Sequence, residues 1–441
     1  MSDALVIGSG LGGLECGLLL ARSGYRVTVL EKGRQAGGCL QTFVRGGQRF
    51  DTGFHYVGGL GPGESLEWLF RGFGLMDLPW KQLDFSEEIV IDGESFPIPC
   101  GFGRFIEVLS DRFPAERCGL RKYADTLQTV GAGIRDLTAD HTDLFEISAD
   151  AWLQEIIGDP LLRRVLLGAS LRMPMDPGTL PLYAYAQISN SFLESAWRLQ
   201  GGAQQIVEKL VSSIESLDGK VLTGYDVRAI REGCVTCADG KEFRADVIVS
   251  DLHPATTAAM TEGVRPIYRK RLESLRNSQG VFTVNIKLKP GRIPYINHSI
   301  TLDGSLLIHF YVPAEGLWAD AIDLLCLVDG PVSDREMLAQ ECIRQASGRI
   351  DGLEDAVEAY WTSTPDTWER FTGTPEGSAF GILKDFRSPA TTLISPRTPL
   401  PGLYLTGQSL NLHGLLGVSM TALHTCSAIL GLERIQNLFE V

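Results

Sequence analysis

No apolar run in this 441-residue chain reaches the 18 or so residues that a membrane-spanning helix needs. Histidine is scarce, seven in all. His141, His253, His298, His309 and His424 show no metal-ligand spacing and read as structural or surface residues, so no metal is expected. Internal repeats, charge runs and low-complexity segments are absent. Basic residues are outnumbered, 40 Lys and Arg against 54 Asp and Glu, and the net charge of −14 argues against nonspecific nucleic-acid binding. The first strand-like run, Ala4 to Ile7, leaves no room for a signal peptide before it. The nine cysteines are odd in number and scattered, as expected of reduced thiols in a cytoplasmic protein. Cys234 and Cys237 form a CxxC, but on a strand their odd spacing sends the thiols to opposite faces. No second ligand pair accompanies them, so they read as packing or surface thiols.

Glycine, by contrast, is abundant: 49 residues, where ordinary usage predicts about 31. Such an excess signals tight turns and close backbone approach. The richest segment is "DALVIGSGLGGLECGLLLARSGYRVTVLEK". Leu5 to Ile7 suit a buried parallel strand. Gly8-Ser9-Gly10-Leu11-Gly12-Gly13 then fits G-x-G-x-x-G, and a helix follows with Gly24 as its expected stop. Tyr25 to Leu30 form a second strand that ends at Glu31. In this pattern Gly8 permits a tight turn, Gly10 admits a pyrophosphate, and Gly13 lets helix and strand pack closely. The helix N-terminus favours phosphate, and Glu31 stands where a ribose hydroxyl would be bound. A second glycine element, "AGGCLQTF", and the lack of a second G-x-G-x-x-G favour a single extended dinucleotide, FAD rather than NAD.

Beyond residue 60 the apolar spacing turns helical, at Leu66, Leu69, Phe70 and Phe73 and then around 103–113, 120–139, 151–171 and 180–198. "LQGGAQQIVEKLVSSI" returns to an α/β pattern. Residues 280–330 hold three strand-like runs, with Lys287 read as a solvated sheet lysine. The end of the chain offers a strand, Leu403 to Thr406, and a helix from about Val418. Nucleotide-type elements thus occur at both ends and in the middle. The expected fold is α/β: a discontinuous dinucleotide-binding domain (1–78, 202–255 and 385–441) with an inserted α+β substrate domain (79–201 and 256–384). "RFDTGFHYVGG" places an acid, a histidine and a tyrosine among glycines. His55 and Tyr56, and His413 in "NLHGLLG", are the candidates for proton chemistry, either ring being able to hand on a proton directly or through water. The bland alternative has Asp51 capping a turn, His55 bonding backbone and Tyr56 packing.

Eight segments together resemble a known family: "VIGSGLGGL", "VTVLEK", "AGGCLQTF", "RFDTGFHYVGG", "LQGGAQQIVEKL", "ADVIVSDLHP", "TPDTWERFTGTPEGSAFG" and "LYLTGQSLNLHGLLGVSMTALHT". The chain resembles the FAD-dependent phytoene desaturase, carotenoid isomerase and retinol saturase group, within the wider flavin amine oxidase fold with its Rossmann-type FAD domain. The resemblance implies that Gly8, Ser9, Gly10, Leu11, Gly12 and Gly13 hold the pyrophosphate and that Glu31 and Lys32 meet the ribose and adenine side. Gly37, Gly38, Cys39 and Gly53 would follow the cofactor, and Val227 would offer its backbone to adenine. Gly407 and Gln408 would lie by the ribityl chain, and Leu416, Gly417, Val418 and Ser419 at the flavin ring. There a helix N-terminus would stabilise the negative charge of reduced flavin.

The chemistry implied is hydride transfer between flavin N5 and a carbon of a long apolar polyene, in desaturation, saturation or isomerisation. The partner implied is thus a hydrophobic small molecule. Leu161, Leu162, Leu166, Leu167, Met173, Met175, Tyr183, Tyr185 and Phe192 are candidates to line its tunnel, or else to form a core. No apolar amphipathic helix stands out as a membrane dock, which leaves open both transient contact with a membrane surface and a smaller substrate. Two other readings stand beside this one: a flavin amine oxidase, and a non-catalytic carrier of lipidated partners on the same fold.

Overall fold

Short apolar runs become the buried strands of a parallel sheet in this computed structural model, which describes residues 2–136, 142–168 and 178–439. Strands β1 (Asp3–Ile7), β2 (Arg26–Glu31), β3 (Lys220–Thr223), β4 (Val247–Ser250) and β5 (Leu403–Leu405) form a five-stranded sheet. Its order is β3-β2-β1-β4-β5, and every neighbouring pair is parallel. The winding direction reverses between β1 and β4, so their C-terminal ends frame the crevice where such sheets bind ligands. Gly8 follows β1 and Asp251 follows β4, and the two ends are tied by Asp251 N donating to Ile7 O at 2.8 Å.

Helix α1 (Leu11–Arg22) rises from the turn after β1 and is buried from Leu11 through Ala21, the carboxyl of Glu15 included. It stops where Gly24 adopts φ +88°. Helix α2 (Gly414–Leu430) packs against α1 and begins at Gly414, ahead of the start expected near Val418. The earlier start depends on Gly417, where a methyl group would come within 2.5 Å of Leu412.

A second, seven-stranded sheet runs in the order Val357–Ser363, Gly280–Leu288, Ala321–Val328, Leu306–Phe310, Ile300–Leu302, Glu87–Ile91, Glu94–Ile98. Three of these strands carry the expected apolar pattern. The other four lack it: one has three residues, one opens on Glu87 and Glu88, one carries Glu94, Ser95 and Pro97, and one is half-exposed along its length. Lys287 pairs with Glu358 at 2.6 Å on the sheet's wet side. Cys234 and Cys237 are both buried, so of the two alternatives, packing or surface thiols, they are packing thiols.

The helix expected over 180–198 ends at Glu194, and Ala196–Leu199 becomes a strand between Val57–Gly58 and Trp80–Gln82. The helix expected over 151–171 breaks at Gly158, where Asp159 caps a new turn through the amides of Leu161 and Leu162. Most of the proposed tunnel residues are core instead. Leu162, Leu166, Leu167 and Tyr185 are buried together, with Leu161 and Tyr183 alongside. Tyr185 is held by the hydroxyl of Tyr123 at 2.9 Å. Met173, Met175, Pro174, Pro177 and His141 lie outside the described residues. No helix among the described residues is long and apolar enough to cross a membrane.

Two glycines test this packing in opposite directions. A methyl on Gly58 would sit 2.4 Å from the Ser191 carbonyl, whereas one on Gly103, inside the helix Phe102–Arg112, meets nothing within 4 Å. Gly58→Ala should lower stability by about 2 kcal/mol, and Gly103→Ala should raise it by about 0.5–1 kcal/mol. Urea unfolding midpoints check both.

Candidate active site

The crevice opens into a cavity of about 540 Å³ that reaches from the ends of β1, β2 and β4 to the second sheet. At one end Gly8, Ser9, Gly10, Leu11 and Gly12 turn from β1 into α1 and line its wall. Glu31 is organised there by protein: Oε2 accepts from Ser9 N (3.1 Å) and Ser9 Oγ (2.6 Å), and Oε1 accepts from Gly33 N (2.7 Å). Lys32 and Val227 line the same end. Gly37, at φ +130°, and Gly38, at φ +55°, bring a second turn alongside, and a methyl on Gly38 would stand 3.2 Å from Gly10 Cα. Cys39 lines the cavity, and burial pushes its thiol up to about 12, so it stays protonated.

At mid-cavity Gly407, Gln408, His413, Leu416, Gly417 and Val418 line the wall as α2 begins. The His413 ring lies 4.4 Å from Phe380. Lys384 anchors this loop from behind, donating to the carbonyls of Thr392 (2.8 Å), Ser409 (2.8 Å) and Leu410 (2.9 Å). Burial pulls its ammonium down to about 7. Two expected contacts are corrected. Gly13 lies behind the turn, where a methyl would meet Gly8 O at 2.4 Å, so its role is packing. Ser419 is fully buried away from the cavity, and its hydroxyl donates to Glu15 Oε1 at 2.7 Å.

The far end is built on one face of the second sheet. Val281, Leu307, Leu325 and Leu327 give an apolar floor. Further along the same face, Asn285, Asp323 and His309 sit side by side across three strands. "RFDTGFHYVGG" crosses above this junction. Asp51 N donates to Tyr311 Oη at 2.9 Å, and the Tyr311 hydroxyl in turn donates to Asp323. Asp51 also accepts from Thr42 Oγ1 (2.5 Å) and from Ala203 N (3.0 Å) ahead of the helix Gln204–Glu215. Asp51 is therefore a structural clamp, with burial raising its carboxyl to about 6. Gly53 lines the cavity but owes its identity equally to Trp368, whose ring a methyl would meet at 2.8 Å.

His55 and Tyr56 both line the cavity. The His55 ring stands 5.0 Å from that of His309, edge to face, and Tyr56 packs 5.1 Å from Phe192. Burial first, then the nearby Arg198 guanidinium, pulls His55 down to about 4. Arg198 is itself buried and donates to Tyr295 Oη, Ile296 O and Ser299 Oγ. His55 is thus a neutral imidazole at pH 7, able to orient or accept a proton rather than to arrive charged.

Sequence reasoning missed Asp251, Arg198, His309 and the apolar floor. Only Asp251 left a local trace, as the acid that ends the buried strand in "VIVSDLHP".

A parallel sheet with a glycine turn at its switch point, joined through one cavity to an apolar sheet face, defines a dinucleotide-dependent oxidoreductase fold. The chain belongs to the family of flavin containing amine oxidoreductases, whose family model matches residues 11–430. All-trans-retinol 13,14-reductase of Danio rerio is 24% identical, over 97% of this chain and 86% of its own. Prolycopene isomerase 1 of an Oncidium hybrid cultivar is 21% identical, over 98% and 85%. Among solved structures, the PF1083 protein of Pyrococcus furiosus shares the fold at TM-score 0.66 and 20% identity, over 98% of each chain.

The electrostatics carry a pH prediction. A histidine whose folded pKa is depressed contributes stability that is fully present above its unfolded value, about 6.5, and lost as pH falls toward the folded value. His55 should titrate with a midpoint about 4, followed by NMR of its ring protons. Arg198→Met should move that midpoint upward; an unchanged midpoint would show that the guanidinium exerts no field on the ring.

Proposed function

We propose that this oxidoreductase uses FAD to move a hydride between the flavin and a carbon of a long apolar isoprenoid polyene, as a desaturase, saturase or isomerase. The observation that carries this reading is the continuity of one cavity, from the glycine turn at β1 to the floor of Val281, Leu307, Leu325 and Leu327. The residues fit the cofactor in three places. Gly8, Gly10 and Gly12 leave the start of α1 open to a pyrophosphate, Glu31 is held ready for ribose hydroxyls, and the N-terminus of α2 favours negative charge beside Gly417 and Val418. When bound, the flavin supplies hydride transfer. In this reading residues 1–78, 202–255 and 385–441 form the cofactor domain, and 79–201 and 256–384 the substrate domain.

The chain's own groups do the rest. The leucine floor orients an apolar chain and excludes water from it. Tyr56 delivers or withdraws the proton at the carbon next to the one that exchanges hydride, and neutral His55 orients it or accepts that proton. His413, packed on Phe380 at the start of α2, borders the reacting region.

A second reading, amine oxidation, is favoured by one feature. Glu87, fully buried, reaches the cavity wall near Phe192 and accepts from Thr301 Oγ1. A carboxylate there could pair with an ammonium. The test is chemical: flavin and lipid released from purified protein are identified by mass spectrometry, and peroxide release is assayed with primary amines. FAD together with an isoprenoid lipid, and no amine-dependent peroxide, is the expected result. Amine-dependent peroxide would transfer the assignment to the second reading, and protein that takes up no flavin would sink both. With the substrate in hand, Tyr56→Phe should retain flavin and lose about 10²-fold in turnover.

A further inference from the structure

The glycine turn after β1 closes on a protein carboxyl. A methyl group placed on Gly10 would stand 2.5 Å from Asp251 Oδ2, one on Gly12 2.9 Å from Oδ1, and one on Gly407 2.6 Å from Oδ1. These glycines therefore make room for Asp251 as much as for any ligand. The carboxyl lies at the N-terminus of α1, on the line between the ends of β1 and β4, and it faces the cavity. That position is the anion seat of the fold: the helix dipole and the amides of Gly13 and Gly10, which already act on the Asp251 carboxyl, converge there.

The groups around it are acidic or neutral. Glu31 acts on it from β2, and Glu15, buried in α1, feels its charge, as do the thiols of Cys16 on α1 and Cys39 on the second turn. Lys32 points elsewhere, to Arg370 O at 3.3 Å. No cation is among the groups that act on Asp251. A pyrophosphate brought to the start of α1 would add negative charge to the same cavity wall as this carboxyl, in a poorly hydrated crevice where like charges repel strongly.

We propose that Asp251 is a cofactor-binding residue that carries a proton when a dinucleotide is seated, donating its O–H to a pyrophosphate oxygen, so that binding takes up one proton from solvent above neutral pH. The proposal rests on the FAD reading of the site. Burial, then the charge of Glu31, already raises the carboxyl to about 7, against the opposing pull of the Gly13 and Gly10 amides. Below that value the proton is in place before binding and affinity should be flat. Above it the proton must be recruited, and affinity should fall about tenfold per pH unit.

The experiment titrates deflavinated protein with FAD by fluorescence quenching between about pH 6 and pH 9, clear of the carboxylate pKa values of an unperturbed chain. Wild type should weaken about tenfold per unit above pH 7. Asp251→Asn, which keeps the shape and donates an N–H without titrating, should bind with no such slope. Calorimetry of the wild type in two buffers of different ionisation enthalpy should show about one proton taken up per FAD at alkaline pH. This second measurement decides the matter if the variant fails to fold. A flat wild-type profile, no proton uptake, or a slope retained in Asp251→Asn would overturn the proposal while leaving the flavin reading intact. FAD binding by neither protein would overturn the flavin reading, and this inference with it.

Discussion

The site depends on two strand ends held side by side. β1 and β4 are parallel neighbours, and the amide of Asp251 donates to the carbonyl of Ile7 just where both strands stop. That single backbone bond fixes where the chain leaves each strand, and so where the glycine turn faces the crevice. From the turn, α1 runs back along the sheet with no polar face, and α2 packs on it so that its own N-terminus reaches the same crevice. Burial on all sides pushes the Glu15 carboxyl well above the usual carboxylate range, and Ser419 Oγ donates a hydrogen bond to it.

The second constraint is the change of character along one face of the seven-stranded sheet. Leucine and valine side chains give way further along the same face to Asp323 and His309, two residues on from Leu325 and Leu307, and to Asn285, four residues on from Val281 past Thr283. The apolar part suits a hydrocarbon. The polar part holds the segment carrying His55 and Tyr56 by hydrogen bonds and ring contacts. Asp323 is raised to about 7 by burial, and Tyr311 well above its normal range by burial and by Asp323, so the carboxyl is about half protonated at neutral pH and the phenol stays neutral. The upward shift of Asp323 and its hydrogen bonds from Tyr311 and Asn285 limit the cost of placing this row under an apolar cavity.

Much of the cofactor end was legible in the sequence because it is local. Strand, glycine turn, helix and acid follow one another within the first 31 residues, and each leaves a compositional mark. The motif gave Gly13 its packing role correctly, whereas the contacts that the resemblance implied for Gly13 and Ser419 failed because a family pattern names residue types, not which side of a turn they face. The substrate end was less legible because it is assembled from distant segments. His309 reads as an ordinary strand histidine until its ring is seen 5.0 Å from that of His55. The tunnel residues proposed around 161–185 were apolar as expected, but helical periodicity marks a core and a ligand wall alike. The strand Ala196–Leu199 was hidden at the end of a helical pattern, although it carries Arg198, whose charge adds to burial in holding His55 neutral.

The central claim is that flavin and an apolar polyene react across this one cavity. Its most direct measurement is the absorbance of the flavin after anaerobic mixing with isoprenoid polyenes, from both the oxidised and the reduced protein, with products separated by chromatography. The account predicts that a polyene changes the flavin's redox state, or is isomerised by the reduced protein alone, while primary amines leave the flavin untouched. A flavin that is inert to every polyene and reduced by an amine would contradict it.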